Sequence, residues 1–108
     1  MAVDLTCFSS MPMEDVEAIV DSLVASHRGL FYSASSSHRT RFLVSKVAEA
    51  SEIDKEIALE YGLVANCWFM VSLNDKSAAD LVATAISIIK NALGVGNVII
   101  LSDGETLR

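Results

Sequence analysis

An α+β fold in a single domain, with elements in the order β-α-β-β-α-β-α-β, is what the sequence predicts, and three observations lead to it. Apolar runs of strand length occur at residues 2–8, 30–35, 40–48, 63–73 and 97–102. Between them lie stretches whose apolar residues recur at three-to-four spacing, as on one face of a helix. The chain has 108 residues, 52% of them hydrophobic, which suffices for one core without disulfide or metal support. A β-α-β-β opening and a β-α-β close together match a ferredoxin-like plait carrying an extra helix after the third strand. A mixed-sheet α/β sandwich with helices on two faces is the competing architecture.

In the first strand, Val3, Leu5 and Cys7 alternate onto one side. Pro12 then suits the first turn of a helix, where its missing N–H costs nothing, and Glu14, Asp15 and Glu17 sit near the positive end of the dipole. Val16, Ile19, Val20, Leu23, Val24 and His27 define the buried face, which makes His27 a partly buried structural residue. Gly29 is the natural stop. Residues 30–35 and 40–48 read as two strands joined by a polar loop, so the simplest connection is an antiparallel hairpin.

Ser51 followed by Asp54 reads as a capping arrangement for a short second helix ending at Gly62. Ile53, Ile57 and Tyr61 are expected on its buried face. Residues 63–73 are apolar at both parities, which suits a central strand covered on both sides. A third helix, from about Ser77 to Leu93, is apolar nearly all round except for a stripe of Asp80, Thr84, Ser87 and Asn91. Residues 97–102 form the last strand, and Asp103-Gly104 turns the chain before a short tail. The apolar stretch 81–101 is interrupted by Lys90, Asn91, Gly94, Gly96 and Asn97, so it reads as helix plus strand and not as a membrane span.

Charge is sorted in blocks. Residues 1–27 hold five acids and no Lys or Arg; residues 28–48 hold Arg28, Arg39, Arg41 and Lys46 and no acid until the next block opens at Glu49. The formal net charge is −6. Affinity for duplex DNA comes largely from Lys and Arg on phosphates, so this balance argues against generic DNA binding and fits either a cationic partner or simple solubility. On the predicted helices the acids gather as two outward faces, Glu14, Glu17 and Asp21 on the first and Glu52, Glu56 and Glu60 on the second. Like charges at that spacing cost a helix a few tenths of a kcal/mol, and the sequence accepts the cost twice.

The basic block maps instead onto the loop between the second and third strands. Ser36, Ser37, His38, Arg39 and Arg41 make it an alternative anion-binding site, since hydroxyls and guanidinium forks surround phosphate well. The same composition also describes an ordinary solvated loop, and residues 41–47 lack the glycines of an RNA-recognition strand. Cys7, Cys67, His27 and His38 show no zinc-like spacing, so no metal and no cofactor is expected. The two cysteines read as reduced core residues. No nucleophile elbow, phosphate loop or dinucleotide fingerprint is present, so no enzyme is expected.

The resulting expectation is a cytoplasmic, non-catalytic protein-binding inhibitor, with no membrane contact. Its most concrete form is a bacterial immunity protein that neutralises a cationic, nuclease-type toxin domain through the acidic faces. A ligand- or nucleic-acid-binding module using the Ser/His/Arg loop, and a homo-oligomeric structural or regulatory subunit, are the other readings.

Overall fold

A computed structural model describes residues 4–27, 30–33, 42–73, 80–102 and 106–108. The chain forms β1 (Asp4–Ser9), α1 (Met13–Ser26), β2 (Phe31–Ser33), β3 (Phe42–Val44), β4 (Ala48–Glu49) and α2 (Glu52–Glu60). It continues through β5 (Cys67–Leu73), α3 (Val82–Leu93), a 3₁₀ turn at Val95–Asn97, β6 (Val98–Ser102) and β7 (Thr106–Leu107). The α+β class expected from the sequence holds. The strands form one sheet in the order β2-β3-β5-β1-β6-β7, with β4 also paired to β5. β1 lies between β5 and β6 and is antiparallel to both.

The alternation along the strands sorts side chains onto two faces. On one, Leu5, Cys7, Phe69, Val71, Val98 and Ile100 meet Val16, Val20 and Leu23 of α1 and Ala85, Ile86 and Ile89 of α3. On the other, Phe8 and Leu101 are buried with Ala58 of α2 and with Leu63 and Ala65 of the segment that follows it. The first face is the larger core. Burying each Leu, Ile or Phe there stabilises the fold by roughly 1.5–3 kcal/mol before the loss of conformational entropy.

Four expectations are corrected. First, residues 30–35 and 40–48 do not form an antiparallel hairpin: β2 and β3 are parallel, with Phe31 opposite Phe42. The reason lies in α1. It starts beside the Ser9 end of β1 and returns the chain to the opposite end, where Leu30 and Phe31 N–H both donate to His27 O (2.9 Å). β3 starts at that same end, with Phe42 opposite Leu73, so β2 and β3 must point the same way.

Second, the strand expected over 40–48 is interrupted. Phe42, Leu43 and Val44 pair with Leu73, Ser72 and Val71, whereas Ala48 and Glu49 pair with Trp68 and Cys67. Three residues (45–47) therefore face two, which is a β-bulge. Ser45 holds it: its N–H donates to Met70 O, and its Oγ accepts from Met70 N–H, each at 2.8 Å. The extra residue lets Val44 and Val47 both point into the core, three positions apart.

Third, β5 begins at Cys67 and alternates strictly between buried and half-buried residues. Residues 63–66 are the return from α2; Leu63 and Ala65 pack on the α2 face, whereas Val64 is exposed. α2 covers only part of that face, so Met70 and Ser72 stay half-exposed. Fourth, Ile53 is 69% exposed and lies at the margin of α2, not on its buried face; His27 is likewise exposed. The stripe of Asp80, Thr84, Ser87 and Asn91 is exposed as expected.

Candidate functional site

α1 holds its acidic face by simple periodicity. Glu14, Glu17 and Asp21 recur at three-to-four spacing and are exposed, while Val16 and Leu23 on the other side and Val20 at the boundary are buried. The helix opens at Pro12 without a side-chain cap; Asp15 and Val16 N–H both donate to Pro12 O at 3.1 Å. Glu14 and Asp15 occupy the first turn, where the helix dipole favours negative charge.

The same helix walls a groove. Glu17, Val20, Asp21 and Val24, a single i, i+3, i+4, i+7 stripe, face Val44, Ser45, Lys46 and Val47 across a space of about 390 Å³. The bulge builds the opposite wall, since it sets Val44 and Val47 inward and leaves Lys46 exposed at the rim. Valines line the depth and two carboxylates line the edge. Neither Glu17 nor Asp21 has a cation within 4.0 Å among the described residues.

Glu17 also acts on Cys67, on the face of the sheet that α1 covers. Cys67 is fully buried, and its thiol is pushed above the ordinary value first by burial and then by the charge of Glu17. Its Sγ lies 3.6 Å from Met11 O, as a weak donor. Cys7 is also buried, and burial alone pushes its thiol up strongly. Cys7 sits opposite Phe69 and Cys67 opposite Ser9, so the cysteines are diagonal neighbours on one face; both are free thiols.

α2 carries its acids differently. Ser51 and Asp54 form the expected capping box: Ser51 Oγ accepts from Asp54 N–H at 3.2 Å, and Asp54 Oδ2 accepts from Ser51 N–H at 2.8 Å. Glu52, Glu56 and Glu60 project outward, interleaved with exposed Leu59 (62%) and Ile53. Lys55 approaches Glu52 at 4.0 Å, an exposed contact of little energetic weight.

The two acidic faces are not side by side. α1 packs on one face of the sheet and α2 on the other, although both leave from the end marked by Ser9 and Cys67. Ser36, Ser37, His38, Arg39 and Arg41 lie outside the described residues. His27 closes α1, and its ring stands edge-on to Phe31 at 6.3 Å between centroids. The groove was missed from sequence. Its one signal was the Val44-x-x-Val47 spacing, which breaks the period of two inside an apparent strand.

The exposed carboxylates of α1 have no cation within 4.0 Å among the described residues, and two of them line a cleft. Among the described residues, no group of three His, Cys, Asp or Glu could hold a metal ion. Comparison with known proteins identifies the kind of domain. A family model described as CDI System Immunity Component matches residues 1–106. The immunity protein CdiI-2 of Burkholderia pseudomallei (strain 1026b) is 38% identical over 108 residues, covering all of both chains. A solved structure, a CdiA-CT/CdiI toxin and immunity complex from Burkholderia pseudomallei, superposes with a TM-score of 0.83 at 35% identity. That match covers 97% of this chain and 95% of the other. The chain belongs to the CDI System Immunity Component family. It is a bacterial immunity protein, a non-catalytic inhibitor of a toxin.

Proposed function

We propose that this immunity protein neutralises a cationic toxin domain, of the CdiA-CT kind and of nuclease type, by covering its basic cleft with carboxylates. The observation that carries this reading is the uncompensated charge of α1: Glu14, Glu17 and Asp21 are exposed, and none has an ion-pair partner among the described residues. Nucleases bind polyanions in basic clefts, so an acidic protein surface competes for the same groups and gains a fast, salt-dependent encounter. Nucleic acid itself is not the ligand on this reading, and the site of action is the cytoplasm. Among the described residues, no helix is long and apolar enough to cross a membrane.

We also read the scaffold as a ferredoxin-like plait with α2 inserted. The order β3-β5-β1-β6, antiparallel throughout, with α1 and α3 packed on one face, supports that reading.

The test is kinetic. Charge reversal to Lys of Glu14, Glu17 and Asp21, and separately of Glu52, Glu56 and Glu60, is followed by association with the toxin domain at low and raised salt. Strong slowing at low salt, diminishing as salt rises, is expected for at least one triple variant. Unchanged association for both would overturn the proposal.

A further inference from the structure

Two acidic helices on opposite faces of a sheet cannot both line one shallow contact, and their geometry distinguishes them. α2 displays its acids beside exposed Ile53 and Leu59. α1 displays Glu17 and Asp21 at the edge of a groove of about 390 Å³ whose depth is lined by Val20, Val24 and Val47. That volume falls within the roughly 300–1,000 Å³ of clefts that hold small ligands, so it takes a side chain and not a whole secondary element.

The lining specifies the occupant. Apolar depth favours an aliphatic stem, and two carboxylates one helical turn apart favour a cationic head with several donors. Both carboxylates are unpaired among the described residues, although Lys46 stands on the opposite rim. Leaving two acids unpaired beside an available lysine keeps them open to a cation from outside.

We infer that the groove between α1 and the Ser45–Val47 bulge receives an arginine or lysine side chain of the toxin domain, its stem against Val20, Val24 and Val47 and its charged head between Glu17 and Asp21. This rests on the proposed toxin-binding function and names the part of the surface that provides specificity. An interfacial charge held in a cleft and desolvated acts on the lifetime of the complex, whereas rim charges act on encounter. Lys46 opposes the incoming cation, so its removal should help binding.

The experiment uses the full chain and the toxin domain, with affinity and both rate constants measured at two salt concentrations. The double variant Glu17→Gln/Asp21→Asn keeps shape and removes charge; both residues are exposed, and an unchanged thermal melt verifies the fold. It is expected to dissociate roughly tenfold faster or more, the loss surviving raised salt. Lys46→Ala is expected to bind more tightly. Wild-type affinity and dissociation for the double variant, with toxin binding intact, would overturn the groove while leaving the immunity function standing. Weaker binding by Lys46→Ala would also overturn it, because an acidic group of the toxin would then be the occupant. No binding of wild-type chain to the toxin domain would instead refute the proposed function.

Discussion

α1 and α2 carry the same feature in sequence, three carboxylates at helical spacing, and present it in opposite ways. α1 lies on the larger core with Val16, Val20 and Leu23 buried, has no side-chain N-cap, and lines a groove with two of its acids. α2 is anchored chiefly through Ala58, is closed by a complete capping box, and displays its acids around exposed Ile53 and Leu59. One helix is held by packing and the other by local hydrogen bonds. A patch of like charge is therefore not a site in itself: what it can do depends on whether the backbone opposite makes a wall, and only α1 faces a bulge that does so.

The largest expected effect tests how differently the helices are anchored. Leu23→Ala on α1 removes a buried side chain and should cost about 3 kcal/mol, whereas Ile57→Ala on α2, half-buried, should cost about 1 kcal/mol. Urea unfolding of both variants gives the two values directly. Equal losses would mean that α2 is bound to the sheet as firmly as α1.

Alkaline pH separates the two faces next. Both thiols lie on the α1 side, and burial pushes both above their ordinary value near 9, Cys7 strongly and Cys67 with help from the charge of Glu17. Above that value the unfolded chain loses thiol protons that the folded chain retains, so unfolding is favoured. Stability from this source is constant below about pH 9 and then falls, by about 1.4 kcal/mol per pH unit for Cys7, with Cys67 adding in the same direction. The Cys7→Ala/Cys67→Ala variant should lose that part of the slope. An identical pH profile for wild type and variant would show that burial of the thiols does not govern alkaline stability.

The capping box offers a smaller, local test. Ser51→Ala should destabilise the chain by about 1 kcal/mol, with faster amide exchange confined to α2. Adding Asp54→Ala should cost less than its single effect, because the two bonds are reciprocal. Additive losses, or exchange spreading into α1, would contradict a separately closed helix.

What was legible in the sequence follows from these differences. The helices, their exposed acids and the Ser51–Asp54 box depend on local periodicity and spacing, and the structure reproduces them. The parallel pairing of β2 with β3 depends on which end of the sheet α1 returns the chain to, which no local pattern encodes. The groove depends on Ser45 Oγ replacing a backbone partner for Met70, and a serine within an apolar run looks the same with or without a bulge. Ile53 departs from its apolar spacing because the short helix turns Ala58, not the larger Ile53, toward the sheet. The immunity function was legible only as charge and size; assignment to a family required the whole-chain comparison.

The smallest effect decides what α2's acids are for. Glu52, Glu56 and Glu60 are exposed, so their expected influence on a cationic partner is long-range steering, which ions screen within a Debye length of about 10 Å at 0.1 M salt. Changing all three to Gln should slow association by roughly threefold at low salt, leave dissociation unchanged, and have no effect once salt is raised. Faster dissociation would mean that α2 touches the toxin. Leu59→Ala would then also weaken the complex, since a side chain 62% exposed in the free chain has area to bury only if a partner covers it. With α2 confined to steering, Leu59→Ala leaves both rate constants at their wild-type values, and the lifetime of the complex is set on the α1 side of the sheet.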